Sequence, residues 1–95
     1  MASEREDNRV NPRLRAAFLE VVENQIRGND PPETRETLQR LLDQGMSEKD
    51  AKLQIAQAVS VETFDILKHH RPFNRQRYVE NLRRLPEAPR LRMDD

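Results

Sequence analysis

Residues 47–69 have the sequence SEKDAKLQIAQAVSVETFDILKH, which contains the longest helical pattern in the chain. Ser47 is a residue type that favours helix N-caps, and Asp50 follows three residues later, as in a capping box. Apolar side chains then recur every three or four residues, which places them on one face of an α-helix. They are Ala51, Ile55, Ala58, Val59, Ile66 and Leu67. The pattern predicts one helix from Ser47 towards His69.

A second helical pattern comes earlier, from about Pro12 to Ile26. Asn11 can cap this helix, and Pro12 suits its first position. Gly28 follows its end, where a residue in the left-handed conformation is favoured. The spacing predicts a buried apolar stripe of Leu14, Ala17, Phe18, Val21, Val22 and Ile26.

Two shorter patterns complete the helical part of the chain. One extends from about Pro31 to Gln44, with Asp30 and Glu33 spaced as a capping box and Gly45 as its stop. Its apolar side chains are Leu38, Leu41 and Leu42. The other begins near Asn74 and ends near Leu85, before Pro86. Its apolar side chains are Phe73, Tyr78, Leu82 and Leu85.

The links between these four patterns are short, which favours antiparallel neighbours. The chain is therefore predicted to be all-α, a compact bundle of about four helices over residues 11–86. Residues 1–10 bury too little to offset their ordering entropy and are predicted to form a disordered arm, and residues 87–95 a flexible tail. A 95-residue domain with a small core is marginally stable alone, which favours pairing with a second copy.

The composition excludes several classes of protein. Apolar residues make up 35% and mean hydropathy is −1.00, so no run approaches the ~18–20 apolar residues of a membrane-spanning helix. The first seven residues lack the apolar core of a secretory leader. The absence of cysteine excludes disulfides, thiol nucleophiles and cysteine-ligated metals. Two glycines and no Gly-x-Ser-x-Gly elbow indicate neither a phosphate-binding loop nor a serine nucleophile. We expect a cytoplasmic protein with no catalytic residue, no cofactor and no metal.

Charge is distributed unevenly along a chain whose net charge is zero. Residues 1–67 carry 9 basic and 13 acidic side chains, a net of −4, whereas residues 68–92 carry 8 basic and 2 acidic side chains, a net of +6. The second segment is a candidate site for anions or nucleic acid. The candidate contacts are Lys68, Arg71, Arg75, Arg77, Arg83 and Arg84. Pairing of these cations with the acidic first part of the chain is the favoured interpretation.

Residues 47–71 also allow a different interpretation, a DNA-binding helix-turn-helix. Ala56 would allow two helices to cross closely, Ser60 would lie in the turn, and Ile66 would pack beneath the second helix. The side chains facing DNA would then be Thr63, Asp65, Lys68 and His69. Because Ser60 replaces the glycine that such turns prefer, a single helix through Ser60 is favoured.

Residue types that bind metals are sparse. His69 and His70 are adjacent, so on a helix their side chains point about 100° apart and rarely reach one ion. Glu20 and Glu23 are three residues apart on the first predicted helix, but no Glu-x-x-His motif accompanies them. A solvated face is therefore favoured for this pair.

Two amide side chains lie at the end of the first predicted helix. Asn24 and Gln25 come shortly before Gly28. Amides in such positions can satisfy the loose backbone groups of a helix end. We therefore predict a structural role for both.

Five short motifs occur in a fixed order along the chain. They are Asn11-Pro12-x-Leu14, Glu23-x-Gln25, Asp30-Pro31-Pro32-Glu33, Gln39-Arg40-Leu41-Leu42 and Tyr78-Val79-Glu80-Asn81-Leu82-Arg83-Arg84-Leu85. In their order and spacing the chain resembles a bacterial family catalogued as domain of unknown function 1841, from about Asn11 to Pro86. The resemblance implies a bacterial, cytoplasmic, all-helical protein with no assigned activity.

The chain departs from that family at its histidines. Members carry histidines spaced four apart on the first helix and often on the third, where this chain has Arg15 and Leu19, and Lys49 and Leu53. Guanidinium, ammonium and isobutyl groups do not ligate a divalent metal as imidazole does. If those histidines form a metal site in the relatives, this chain has lost it.

Three functions follow from these observations. The first is a small non-enzymatic module that binds a protein partner or a second copy of itself, since catalytic constellations are missing. The second is a DNA-binding regulator that uses residues 47–71 and their basic C-terminal extension. The third is a degenerate member of a metal-binding family.

Overall fold

The computed structural model describes residues 12–90, which form four α-helices. They are α1 (Pro12–Gly28), α2 (Pro32–Asp43), α3 (Glu48–His69) and α4 (Arg75–Arg84). Residues 12–90 contain no β-strand, so the prediction of an all-α bundle of about four helices is confirmed. The predicted arm 1–10, the cap Asn11 and residues 91–95 of the predicted tail lie outside the described residues.

The central element is α3, which contacts each of the other three helices. Glu23 near the end of α1 pairs with Lys52 near the start of α3, and Phe18 of α1 lies beside the end of α3. The two helices are therefore antiparallel. The core between the four helices contains Val22, Leu41, Ala51, Ile55, Ala58, Tyr78, Leu82 and Leu85. None of the four helices combines the length and the apolar composition that crossing a membrane requires.

The connection between α1 and α2 differs from its prediction in two ways. Gly28 is the last helical residue, and Asn29 has the left-handed conformation instead, with φ 51°. Asparagine is one of the few residues that tolerate this conformation. The N-cap of α2 is Pro31 and no side chain caps it, so the predicted capping role of Asp30 is wrong.

The ends of α2 and α3 follow the sequence more closely. Gly45 ends α2 with φ 97°, a conformation that glycine adopts without steric cost. Ser47 caps α3 by accepting a hydrogen bond from the backbone N–H of Asp50 at 3.1 Å, as predicted. His70 ends α3 in the left-handed conformation with φ 56°, and its N–H donates to the carbonyl of Ile66.

No turn interrupts α3 at Ser60. The helix is continuous from Glu48 to His69, and the Ser60 hydroxyl donates to the carbonyl of Gln57 at 2.7 Å. A helix-turn-helix over residues 47–71 needs two helices that cross at this point. The helix-turn-helix interpretation is therefore wrong, and the single-helix prediction is confirmed.

Several apolar side chains predicted to be buried are exposed. They are Leu14, Ala17, Val21, Ile66, Leu67 and Phe73. On α1, Val21 is rotated about 100° from the buried Val22 and so faces outward. On α3, twelve residues separate Leu67 from the buried Ile55, which leaves Leu67 rotated by about 120° out of the core face. The predicted stripes are thus wider than the surfaces that neighbouring helices cover.

The chain remains packed beyond the predicted end of the domain at residue 86. The Asn81 side chain donates to the carbonyl of Arg90 and accepts from its backbone N–H, both at 2.8 Å. This double contact fixes Pro89 and Arg90 against α4. Residues 87–90 therefore belong to the folded part and not to a flexible tail.

Candidate functional site

An open apolar groove of about 400 Å³ lies between the first half of α1 and the second half of α3. We call it the α1–α3 groove. Its lining residues are Leu14, Phe18, Ser60, Val61, Thr63, Phe64, Leu67 and Pro89. Its lining residues come from α1, α3 and the segment after α4, and neither α2 nor α4 contributes one.

The groove contains the three most exposed large apolar side chains of residues 12–90. Leu14 is 52%, Phe64 57% and Leu67 71% exposed. Phe18, which packs against the core, forms the floor between them. An apolar surface that includes two aromatic side chains, Phe18 and Phe64, has the composition of the buried centre of a protein interface.

Behind the groove, on the opposite side of α3, lies a buried cluster of charged side chains. Arg77 of α4 binds Glu62 through two hydrogen bonds, from Nε to Oε2 at 2.6 Å and from Nη2 to Oε1 at 2.9 Å. Its Nη2 also donates to Oδ2 of Asp65 at 2.9 Å. All three side chains are at least 94% buried. We call Glu62, Asp65 and Arg77 the ion cluster.

Further groups complete the hydrogen bonding of the ion cluster. The backbone N–H of Asn74 donates to Oε1 of Glu62, and Nδ1 of His69 lies 2.9 Å from Oδ1 of Asp65. The hydrogen bonds from Arg77, and then that from His69, lower the pKa of Asp65. The hydrogen bonds that Arg77 donates, above all to Glu62, raise the pKa of Arg77, so Arg77 and Asp65 both stay charged at neutral pH. Buried charges that are paired in this way fix the packing of α4 on α3.

The ion cluster also accounts for His69, one of the two histidines considered as metal ligands. Both buried carboxylates are bound by Arg77, and His69 contacts Asp65 through Nδ1. His70 ends α3 in the left-handed conformation. Within residues 12–90 no group of three or more histidine, aspartate or glutamate side chains could hold a metal ion. A structural role for His69 is thus the one that its contacts support.

The structure separates the six basic residues predicted as candidate anion or nucleic-acid contacts. Arg77 is buried in the ion cluster, so its prediction as a surface contact is wrong. Arg75 lies 3.5 Å from Glu33 and 3.7 Å from Asp30, and Arg71 lies 3.8 Å from Asp65. Pairing with acidic residues of the first part of the chain is therefore confirmed for these three arginines.

The remaining members of this set are Lys68, Arg83 and Arg84. The Lys68 ammonium lies 5.1 Å from the centre of the Phe64 ring, in the range of a cation–π contact at the edge of the groove. Arg83 is exposed on α4, and Arg84 is half-buried. The geometry thus places Lys68, alone among the six, beside the α1–α3 groove.

A small depression of about 330 Å³ lies beside the ion cluster, at the start of α4. Its charged lining residues are Asp65, Arg71, Arg75 and Arg77. Each of these arginines is close to a carboxylate. The depression therefore does not favour an added anion.

The amides Asn24 and Gln25 bind side chains, and their predicted contacts with backbone groups are wrong. Oε1 of Gln25 accepts from the Tyr78 hydroxyl at 2.6 Å and from the Thr34 hydroxyl at 2.7 Å. Burial raises the pKa of Tyr78, so its hydroxyl stays a donor at neutral pH. Oδ1 of Asn24 accepts from Arg27. The helix-end carbonyl of Ile26 is satisfied by Arg35 instead.

Two features of this region were missed by reasoning from the sequence. Phe64 was not included in any apolar stripe, and Glu62 and Asp65 were not recognised as buried. The signal lies in their spacing, because Ile55, Glu62 and Asp65 are seven and three residues apart and share one face of a helix. Two acids on a buried face require a cation from a neighbouring helix.

Comparison of the chain with protein-family models, with curated proteins and with solved structures finds no match. The resemblance to the family catalogued as domain of unknown function 1841 therefore stays a prediction. The same holds for the bacterial origin and the cytoplasmic location that it implies.

Proposed function

We propose that the protein is a non-enzymatic helical module that binds another protein through the α1–α3 groove. The observation that carries this proposal is the position of Leu14, Phe64 and Leu67, whose exposed apolar surfaces meet in one depression. Single exposed apolar residues are common on protein surfaces, whereas a contiguous apolar patch marks a contact surface.

The chemistry of the groove supports contact more than reaction. Its lining offers apolar side chains and the hydroxyls of Ser60 and Thr63, with no titratable group among them. The nearby carboxylates of Glu62 and Asp65 are on the other side of α3 and are bound by Arg77. A large aromatic side chain such as Phe64 is the type of residue that contributes most to the free energy of binding at protein interfaces.

Affinity capture with matched variants tests the proposal. Wild type, Phe64→Ser and Phe73→Ser are immobilised and compared by quantitative mass spectrometry of the proteins they retain. Phe73 is also an exposed aromatic residue, 45% accessible, but it lies outside the groove. We expect at least one protein that wild type and Phe73→Ser retain and that Phe64→Ser loses, and this protein should bind purified wild type with a defined stoichiometry.

Two results would contradict binding of another protein at the groove. If the three immobilised proteins retain the same partners in the same amounts, the groove is not the binding surface. Light scattering of the full chain over a range of concentrations adds a second criterion. If the wild type self-associates and Phe64→Ser does not, the groove binds a second copy of the chain and not another protein.

A further inference from the structure

Charged side chains next to the lining residues of the α1–α3 groove are mostly basic. On α1, Arg15 follows the lining residue Leu14, and the exposed Glu20 comes two residues after Phe18. In the C-terminal segment, Arg90 follows Pro89, and the exposed Glu87 comes two residues before it. On α3 the segment from Ser60 to Lys68 has two acids, Glu62 and Asp65, but both are buried in the ion cluster. Lys68 is therefore the exposed charge of that segment.

Pairing with Arg77 keeps both acids of this part of α3 buried on the side of the helix that faces away from the groove. The partner therefore meets an apolar floor and a mostly basic rim. Surfaces of this kind select partners of the opposite charge and accelerate their association.

Resting on the proposed function, we infer that the partner presents an acidic amphipathic helix to the groove. Its apolar side chains lie between α1 and α3, over Phe18 and Phe64, and its acidic side chains lie towards Lys68, Arg15 and Arg90. Ser60 and Leu67 are seven residues apart on α3, which is a length of about 10 Å. Apolar side chains at positions i, i+3 or i+4, and i+7 of a bound helix span the same length.

A second copy of the chain fits this groove less well. A symmetric pair would place the same patch against itself, so Lys68 and its basic neighbours would face their own copies. Like charges opposed across an interface cost binding free energy. A different chain that carries aspartate and glutamate avoids this repulsion.

The test uses designed helical peptides with the full-length protein. One peptide has leucines at positions i, i+3 and i+7 and glutamate at the flanking positions, and a matched peptide has lysine in place of every glutamate. Fluorescence anisotropy of the labelled peptides gives Kd at about 0.1 M and about 1 M salt, between which the screening length falls from ~10 Å to ~3 Å. We expect the glutamate peptide to bind at least about tenfold more tightly at the lower salt concentration, with the difference shrinking at the higher one.

Variants locate the binding in the groove. Lys68→Glu should remove most of the preference for the glutamate peptide, whereas Arg83→Glu, an exposed charge reversal on α4, should leave it unchanged. Phe64→Ser and Leu67→Ser should each weaken binding of the glutamate peptide about tenfold or more. Circular dichroism shows whether each variant is folded. If either Phe64→Ser or Leu67→Ser fails to fold, the other variant tests the groove.

Several results would overturn the inference. The first is equal or tighter binding of the lysine peptide. The second is equal binding of a glutamate peptide with scrambled leucine positions, which would mean that charge alone is recognised. Tighter binding of a free fatty acid, or of duplex DNA with steep salt dependence, would assign the groove to another ligand.

The two proposals fail in different ways. A captured protein that requires Phe64, combined with no preference between the two peptides, retains the proposed function and rejects the acidic helix. If no captured protein requires Phe64 and neither peptide binds, both the proposed function and the acidic helix are rejected.

Discussion

The ion cluster and the α1–α3 groove are formed by the same two turns of α3. In these turns the charged side chains face the bundle and the apolar side chains face solvent, the reverse of the usual arrangement. Glu62 and Asp65 face the bundle and are buried, whereas Phe64 and Leu67 face solvent. In an ordinary amphipathic helix the acids would be outside and the apolar residues inside. The inward acids are compensated by Arg77 of α4. The outward apolar residues have no such compensation within residues 12–90, and their surface is left for a partner.

The ion cluster and the groove differ in whether they contribute to the stability of the fold or to binding. The ion cluster stabilises the fold, because an unpaired buried charge is costly. The exposed groove residues Leu14, Phe64 and Leu67 contribute less to the fold, because much of their apolar surface stays in contact with water in the folded chain. Substitutions in the first region should change stability, and substitutions in the second should change binding.

The largest effect is expected for Arg77→Met. This change leaves Glu62 and Asp65 buried without a counter-charge, and removal of one partner of a buried ion pair costs about 3–5 kcal/mol. Since domains of this kind have total stabilities of about 5–15 kcal/mol, urea unfolding should show a large shift of the midpoint. Arg83→Met, on the exposed face of the same helix, is the matched control and should change stability by less than about 0.5 kcal/mol. Similar effects of both changes would contradict the structural role of the ion cluster.

A pair of leucine substitutions gives the next largest difference. Leu41→Ala removes a fully buried side chain and should lower the free energy of unfolding by about 2–5 kcal/mol. Leu67→Ala removes an exposed side chain and should change it by less than about 0.5 kcal/mol, while weakening partner binding. Thermal unfolding followed by circular dichroism measures both. A strong destabilisation by Leu67→Ala would show that the groove belongs to the core.

Acid should weaken the fold through the ion cluster. The pKa of Asp65 is lowered in the folded state, chiefly by its hydrogen bond from Arg77, so its contribution is present above its unfolded pKa of about 3.9. That contribution is lost as the pH falls through the lower folded pKa, because the protonated carboxyl no longer pairs with Arg77. We expect the melting temperature to fall below about pH 4, and to fall less steeply in Asp65→Asn than in wild type. Identical pH profiles would contradict this role of Asp65.

The smallest effect is expected for a charge cluster at the surface. Lys52 lies 2.6 Å from Glu23 and 2.8 Å from Glu48, and these contacts raise the pKa of Lys52. Because both carboxylates are exposed to water and salt, Lys52→Met should cost only about 0–1 kcal/mol. Double-mutant cycles with Glu23→Gln, compared with cycles of Arg77 and Glu62, measure how much burial adds to an ion pair. Equal coupling energies would remove the distinction between the two sites.

The helices could be predicted from the sequence because their signals are local. Ser47, Gly45 and the proline at the start of α1 act on the adjacent backbone, and the apolar spacing fixes the helical period. The continuity of α3 through Ser60 was favoured for the same reason. These features depend on neighbours in the chain, not on which helices meet in space.

The candidate site could be predicted only in part, because it depends on what covers each helix face. The periodicity places Leu14, Ile66 and Leu67 on apolar stripes, but it does not show where a neighbouring helix ends. Similarly, the charge of residues 68–92 does not show that Arg77 lies inside the bundle while Lys68 stays outside. Both distinctions come from how α1 and α4 pack on α3, which the sequence alone does not give.

The hydrogen bonds of Asn81 link the interior of the bundle to the shape of the groove. Its side chain holds Arg90 through one donated and one accepted hydrogen bond, in the manner of a paired backbone segment, and Pro89 next to it forms one wall of the groove. Asn81→Asp would keep the acceptor but lose the donor, so the carbonyl of Arg90 would be released and the wall would loosen. A buried residue that never touches the partner would then set the width of the entrance, and affinity could change during evolution without any change in the contact surface itself.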